Sequence, residues 1–195
     1  MTARLILICH ASTAAVRKAA FPADEPLDEY GKAAAAALAG SLPRADQCWT
    51  GSELRTRQTA EALGLKANPL PMLRDCDYGK WKGRTFNEIC EQEPDAIALW
   101  LRDPAAAPHG GESILAVMQR IATWLDSELA DNQQSIVVTH SAVIRAAIVH
   151  AIDAKPQSFW RIDIAPLSRT RLSGTEGRWN LVSMEGKASG GGQTD

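Results

Sequence analysis

The chain has 195 residues, of which 45% are hydrophobic, and this size and composition fit one domain with a sizeable core. Its 21 Lys and Arg residues nearly balance its 23 Asp and Glu residues, which gives a formal net charge of -2. A chain with this balance has no general attraction for nucleic acid or for anionic lipid, so we expect neither as a partner.

Strand and helix patterns alternate along the chain, and the first of them is a continuous apolar run typical of a strand buried on both faces. In chain order, the predicted elements are a strand at Leu5–Cys9, a helix at Gly31–Ala39, a strand at Gln47–Thr50, helices at Leu54–Leu63, Phe86–Gln92 and Pro94–Leu101, a helix capped by Ser113 and running to Leu129, a strand at Ser135–Thr139, a helix at Ala142–Ile152, and a hairpin of Thr170–Leu172 and Trp179–Val182. This order predicts an α/β fold, a three-layer α/β/α sandwich whose mostly parallel central sheet is flanked by helices.

The chain shows no internal repeat and no linker, so we expect residues 1–185 to form one domain. The segment 186–195 ends in SGGGQTD and has the composition of a disordered tail. The longest early apolar run is too short to span a membrane and lacks the layout of a signal peptide, which predicts a cytoplasmic protein. The four cysteines form no C-x-x-C pair, so we expect no zinc site, redox pair or disulfide.

Two histidines directly follow predicted strands. His10 comes after the first strand, and His140 comes after the strand at Ser135–Thr139. In open α/β sheets, ligands bind beyond the carboxyl ends of the strands, and a helix N-terminus at that edge favours an anion. A single histidine at such a place is usually structural, but two at equivalent places predict a phosphate site.

Arginines lie at the start of the helix predicted at Leu54–Leu63, in the segment SELRTRQTAEALG. Arginines on a helix usually form a solvated basic face. Beside two histidines at strand ends, however, Arg55 is better explained as a bidentate phosphate ligand.

Six motifs, in order, resemble those of the histidine phosphatase superfamily, whose members are phosphoglycerate mutase-like. They are Cys9-His10-Ala11 for R-H-G, Pro26–Gly31 for P-L-x-x-x-G, Ser52–Ala60 for S-x-L-x-R-x-x-Q-T-A, Leu73–Gly83 for L-x-E-x-x-[FY]-G-x-W-x-G, Pro108–Ser113 for P-x-G-G-E-S, and Val138–Arg145 for V-T-H-G-x-V-I-R. One such motif alone is weak evidence, whereas six in order across nearly the whole chain predict the family and its fold. The R-x-x-Q-T-A spacing assigns phosphate binding to Arg55 rather than to Arg57.

The resemblance implies in-line transfer of a phosphoryl group to a histidine and then to water. His10 is then the nucleophile, and Arg55 and His140 hold the equatorial phosphoryl oxygens. Ser141, which replaces the family's Gly at the start of the following helix, joins the phosphate-binding candidates. Because guanidinium and imidazolium donors supply the charge, the resemblance implies no metal ion and no cofactor.

The same resemblance assigns the general acid to Asp75, which stands where most small members of the family have Glu. It is expected to protonate the departing alkoxide and then to take a proton from the attacking water. Asp77 is the rival for this role.

Cys9 departs from the family pattern, in which an Arg at this position holds phosphate. A free Cys at a strand end is commonly a small buried hydrophobe, and the segment CHASTAAV lacks the glycine and the closing Arg of a Cys-nucleophile phosphatase. Arg17 is the candidate replacement cation, and a surface arginine is the alternative interpretation of it.

The sequence therefore predicts a metal-independent phosphomonoesterase of the small phosphatase type that acts on a small phosphorylated metabolite. A protein phosphohistidine phosphatase is the enzymatic alternative, although such proteins lack the L-x-E-x-x-[FY]-G segment. A catalytically weakened or inactive member of the family that binds a phospholigand is the alternative from another class, and Cys9 motivates it. His109 and His150 are interpreted as non-catalytic.

Overall fold

The structure is a computed structural model that describes residues 2–128, 133–175 and 177–186, so most of the predicted tail and the predicted end of the long helix at residue 129 lie outside it. The strands are β1 (Ala3–Cys9), β2 (Gln47–Thr50), β3 (Asn68–Pro69), β4 (Gln134–Thr139), β5 (Arg169–Thr175) and β6 (Arg178–Glu185). The α-helices are α1 (Ala14–Arg17), α2 (Glu29–Ala36), α3 (Leu54–Ala62), α4 (Phe86–Gln92), α5 (Pro94–Arg102), α6 (Ile114–Glu128) and α7 (Ser141–Ala151).

The strands form one sheet in the order β3-β2-β4-β1-β5-β6. The pairs β3–β2, β2–β4 and β4–β1 are parallel, whereas β5 and β6 extend the sheet with antiparallel pairs. In the central pair Cys9 lies opposite Thr139, so the next residues, His10 and His140, leave the sheet side by side. The predicted mostly parallel sheet is confirmed, with the predicted hairpin at one edge.

Apolar residues cover both faces of this sheet. Along β1, Leu5 and Leu7 face the main core, which includes residues of α6 and α7, while Ile6 and Ile8 face a smaller core against α3. Because side chains alternate across a strand, a continuous apolar run serves both layers at once. The predicted three-layer α/β/α sandwich is thereby confirmed. Among the described residues no helix is long and apolar enough to cross a membrane.

One helix begins earlier than predicted and another was not predicted, and polar side chains cap both. α2 begins at Glu29, before the predicted Gly31, since the Asp28 side chain accepts a hydrogen bond from the Gly31 amide. The short helix α1 was not predicted; the Thr13 side chain caps it by accepting a hydrogen bond from the Val16 amide.

The loop that follows His10 is held by the two neighbouring helices. Thr59 on α3 accepts a hydrogen bond from the Ala11 amide at 3.0 Å. Gly31 on α2 packs directly against Ser12, since a Cβ at this position would lie 2.2 Å from the Ser12 carbonyl oxygen. Motif residues outside the site thus fix the direction in which the chain leaves β1.

Gly31→Ala is expected to destabilise the fold, although alanine is the better helix former by about 1 kcal/mol. The new methyl group would meet the backbone of Ser12, and overpacking typically costs about 1–3 kcal/mol. Since backbone atoms yield little, we expect a net loss and a lower melting temperature by circular dichroism. Gly186→Ala is the control, because a Cβ there meets no atom within 4 Å. Equal melting temperatures for the two variants would contradict this close packing.

Candidate active site

His10 and His140 meet at the ends of β1 and β4, with ring centroids 5.3 Å apart. The Nδ1 of His10 lies 2.8 Å from the Ala11 carbonyl oxygen, which only accepts, so Nδ1 carries the proton and Nε2 holds the lone pair. Burial, with the positive charges of His140 and Arg55, lowers the pKa of His10 to about 3. His10 is therefore a neutral imidazole at physiological pH, which is the nucleophilic form.

Cys9 does not compete with His10 as a nucleophile. Its side chain is 3% exposed and packs within the main core. Burial and the negative charge of Asp75 raise the pKa of the Cys9 thiol to about 12, although Arg145 and Arg55 oppose the rise. The thiol is therefore neutral, and it supplies neither a thiolate nor a cation.

Arg55 and Asp75 form an ion pair inside the site. Nη2 of Arg55 donates to Oδ2 of Asp75 at 2.7 Å, and the two side chains are 2% and 11% exposed. Nε and Nη1 of Arg55 are buried, and neither has a hydrogen-bond partner within the described part of the chain. Because unpartnered buried donors are costly, these two N–H groups indicate a place for an anion.

The buried ring of His140 lies between two carboxylates. Its Nε2 is 2.9 Å from Oε2 of Glu53, and its Nδ1 is 3.4 Å from Oδ2 of Asp75. Only the first of these contacts is a hydrogen bond, and Nδ1 has no hydrogen-bond partner among the residues described. The ring is thus held at Nε2, while Nδ1 is left for a third group.

Glu53 was not predicted as a site residue. Besides its contact with His140, Oε1 of its carboxylate accepts a hydrogen bond from the Asp75 amide at 2.8 Å. Burial opposes the ionisation of Glu53, but the hydrogen bond and charge of His140 outweigh it and lower the pKa of Glu53 to about 2. The sequence signal that could have identified Glu53 is an acidic residue between the end of a strand and Arg55.

A buried ion pair holds the segment that carries Asp75. Arg120 on α6 makes two hydrogen bonds to the Glu112 carboxylate, at 3.0 and 2.9 Å. The same guanidinium donates to the carbonyl oxygens of Met72 and Arg74. Glu112 belongs to the predicted P-x-G-G-E-S motif, so this part of the motif shapes the loop that carries the carboxylate.

His10 opens onto a cavity of about 460 Å³, the His10 cavity, which Asp75, Ser141 and Arg145 also line. The rest of its wall is mostly apolar and comes largely from α1 and the loop after it. A second cavity of about 410 Å³ is lined by Arg55 and also by Asp75. Asp75 therefore borders both cavities, between the nucleophile and the buried guanidinium.

Arg17 is the one predicted site residue that the structure does not bring to the site. Its side chain is 69% exposed, lies 3.9 Å from a carboxylate oxygen of Asp28, and does not line the His10 cavity. The cation that does line this cavity is Arg145, whose Nε donates to the Ile162 carbonyl oxygen at 2.7 Å. Arg17 is the last residue of α1, a helix that the sequence analysis did not predict, and its side chain is exposed there.

Asp77, the rival acid, does not line the His10 cavity. Its half-exposed carboxylate lies 2.6 Å from Nζ of Lys82. The hydrogen bonds from Lys82 and from the Gly79 amide lower the pKa of Asp77. Asp75, by contrast, lines that cavity together with His10.

The remaining histidines lie outside the His10 cavity. His109 is 2% exposed, and its ring centroid is 5.0 Å from that of Trp81 in the main core. His150 pairs with Asp126 at 3.0 Å. In the described part of the chain, no group of three or more His, Cys, Asp or Glu side chains is placed to hold a metal ion.

The chain matches the family model of the histidine phosphatase superfamily (branch 1) over residues 5–186. It is 30% identical over 146 residues to phosphoserine phosphatase 1 of Hydrogenobacter thermophilus, which covers 70% of this chain and 69% of that protein. A bifunctional protein of Mycobacterium tuberculosis is 29% identical over 178 residues, covering 85% of this chain. The chain spans about half (49%) of that relative's length.

Solved structures show the same fold. A mycobacterial glucosyl-3-phosphoglycerate phosphatase in complex with VO3 has a TM-score of 0.81 at 27% identity, covering 96% of this chain and 100% of that one. A phosphoglycerate mutase from Thermus thermophilus has a TM-score of 0.75 at 25% identity, covering 94% and 98%. With the family model matched over nearly the whole described length, this chain belongs to the histidine phosphatase superfamily, branch 1.

Proposed function

We propose that the protein is a phosphomonoesterase that transfers the phosphoryl group of a small phosphorylated metabolite to His10 and then to water. The observation that carries this proposal is the set of buried nitrogens left without hydrogen-bond partners among the described residues. They are Nε and Nη1 of Arg55, which are donors, and Nδ1 of His140, which is a donor when the ring is protonated. Such donors suit the equatorial oxygens of a phosphoryl group in transfer. The phosphatases among the relatives support the same reaction class.

Asp75 is paired with Arg55, so its proposed role as general acid depends on whether phosphate is bound. A phosphate dianion competes with the carboxylate for the guanidinium, since it offers more charge and more acceptor oxygens. A carboxylate displaced beside a dianion is favoured in its protonated form. Asp75 then protonates the leaving alkoxide, and its carboxylate later takes a proton from the attacking water.

The proposed reaction uses no metal ion and no cofactor. Arg55 and His140 supply positive charge, and α7 adds the partial charge of its N-terminus, where Ser141 lies. Arg145 adds a further cation in the His10 cavity. The apolar part of the wall of that cavity, which comes largely from α1 and the loop after it, suits the alcohol part of the substrate.

A phosphate-binding protein without turnover is the second candidate function, and Cys9 favours it. The residue contributes a neutral buried thiol where the family pattern has a cation. Loss of one donor to the transition state typically costs about 3–4 kcal/mol, or on the order of 10²–10³ in rate. A rate reduced by this factor remains measurable, so turnover decides between the two candidates.

Turnover of an aryl phosphate between about pH 5 and pH 8 tests the proposed reaction. The wild-type protein should release phosphate and form a phosphoenzyme that is labile in acid and stable in base, as a phosphohistidine is. Because the pKa of His10 is about 3, acidification within this range should not protonate the nucleophile. EDTA should leave the rate unchanged.

His10→Ala should abolish both turnover and the phosphoenzyme. Substantial turnover in this variant, or a rate lost in EDTA and restored by a divalent ion, would contradict the mechanism. Phosphate binding by a wild-type protein that shows no turnover would instead support the second candidate function.

Arg55→Ala should weaken vanadate binding, measured by calorimetry, and should slow turnover by about 10²–10³. The matched control is Arg57→Ala, which removes an exposed arginine from the same helix and should change neither quantity. Unchanged vanadate affinity in Arg55→Ala would show that the buried donors do not hold the anion.

Arg145→Met should lower kcat/KM by about tenfold or more, since a charge-assisted hydrogen bond is worth roughly 1.5–3 kcal/mol. Methionine keeps an apolar stem against Phe159, whose ring centroid lies 5.6 Å from the guanidinium carbon of Arg145. Arg17→Ala should leave kcat/KM within about twofold, because this side chain is exposed. The reverse pattern would restore the assignment of Arg17 made from the sequence.

A further inference from the structure

We propose that Glu53 is a positioning residue whose carboxylate holds both the His140 ring and the Asp75 backbone, so that Nδ1 of His140 presents a proton to the phosphoryl group. The inference rests on the proposed function, because it assigns a role within the same site. Glu53 acts through these two residues and does not itself contact the reacting atoms.

The two oxygens of the Glu53 carboxylate are used on two different elements. Oε2 lies 2.9 Å from Nε2 of His140, at the end of β4, and Oε1 lies 2.8 Å from the amide nitrogen of Asp75. A carboxylate only accepts, so Nε2 of His140 carries a proton. One side chain thereby fixes the ring that binds phosphate relative to the residue that transfers the proton.

The turn between β2 and α3 is shaped around this contact. Gly51 leaves room for it, since a Cβ there would lie 2.8 Å from Nε2 of His140 and 3.0 Å from Oε2 of Glu53. The buried Thr56 hydroxyl contacts the carbonyl oxygens of Gly51 and Glu53 at 3.0 and 2.8 Å. Backbone and side chain thus both support the reach of the carboxylate to the ring.

Glu53 occupies the N-cap position of α3, yet its side chain makes no capping hydrogen bond. An N-cap side chain ordinarily accepts a hydrogen bond from the first turn of its helix. Here the acceptor oxygens are directed to His140 and Asp75 instead. Stabilisation of α3 through a capping hydrogen bond therefore does not explain the residue.

Charged and titratable groups surround the His140 ring. Glu53 faces Nε2 of the ring, and Oδ2 of Asp75 faces Nδ1 and also accepts a hydrogen bond from Arg55. His10 lies beside the ring as a neutral imidazole. When phosphate displaces the Asp75 carboxylate from Arg55, Glu53 remains as the hydrogen-bond partner of the His140 ring. The imidazolium then donates through Nδ1 to the oxygen on which charge grows.

Glu53→Gln removes the charge at nearly constant shape, and the kinetics of this variant test the proposal. We expect kcat to fall about 10- to 100-fold, as for other partners that orient a histidine, while KM changes less than about threefold. The pH profile of kcat should also change, because Nε2 of His140 no longer faces a charged carboxylate. Glu61→Gln, an exposed carboxylate on the same helix, is the control and should change neither quantity.

Glu53→Asp separates charge from shape. It keeps the negative charge with a shorter reach, so it should recover the wild-type pH profile and only part of kcat. Melting temperatures of all variants identify any loss of fold. Equal impairment of the Gln and Asp variants, or an unchanged pH profile in Glu53→Gln, would overturn the positioning role.

Nitrogen-15 NMR of the histidine rings tests the same contact without substrate. In the wild-type protein, the His140 resonances should show a hydrogen-bonded proton on Nε2, and Glu53→Gln should shift them. If the wild-type protein has no turnover, the proposed function fails, yet this spectrum still decides the role of Glu53. His140 resonances that are identical in the two proteins would overturn the proposal.

Discussion

The buried guanidinium of Arg55 is the charge on which the rest of the site depends. A cation at 1% exposure is tolerated only if it is paired and hydrogen-bonded, and here Asp75 satisfies just one of its terminal nitrogens. The remaining N–H groups are therefore suited to an anion of matching geometry. The carboxylates of Asp75 and Glu53 balance the positive charge in the site, and in the proposed mechanism phosphate takes over part of that balance.

The strand ends and motif spacings predicted the residues whose places depend on backbone topology. His10 and His140 meet because parallel neighbours in register end at the same edge of the sheet. Arg55 enters the site because it lies one residue into a helix that follows the next strand, β2. Such positions follow from where each strand ends and each helix begins, which local sequence patterns indicate.

Side-chain contacts set by the tertiary structure could not be predicted in this way. Arg17 was assigned to phosphate from its nearness in sequence, but a helix of four residues carries it to the surface. Glu53 was missed because its partners lie more than 20 residues away along the chain. These outcomes depend on short turns whose direction is fixed by distant contacts rather than by their own sequence.

A crystal structure of the wild-type protein with vanadate tests the central claim most directly. The account predicts a vanadium bond to Nε2 of His10, vanadate oxygens that accept from Nε and Nη1 of Arg55 and from Nδ1 of His140, and an Asp75 carboxylate displaced from Arg55. Vanadate bound elsewhere, or bound at His10 with the Arg55–Asp75 ion pair intact, would contradict it.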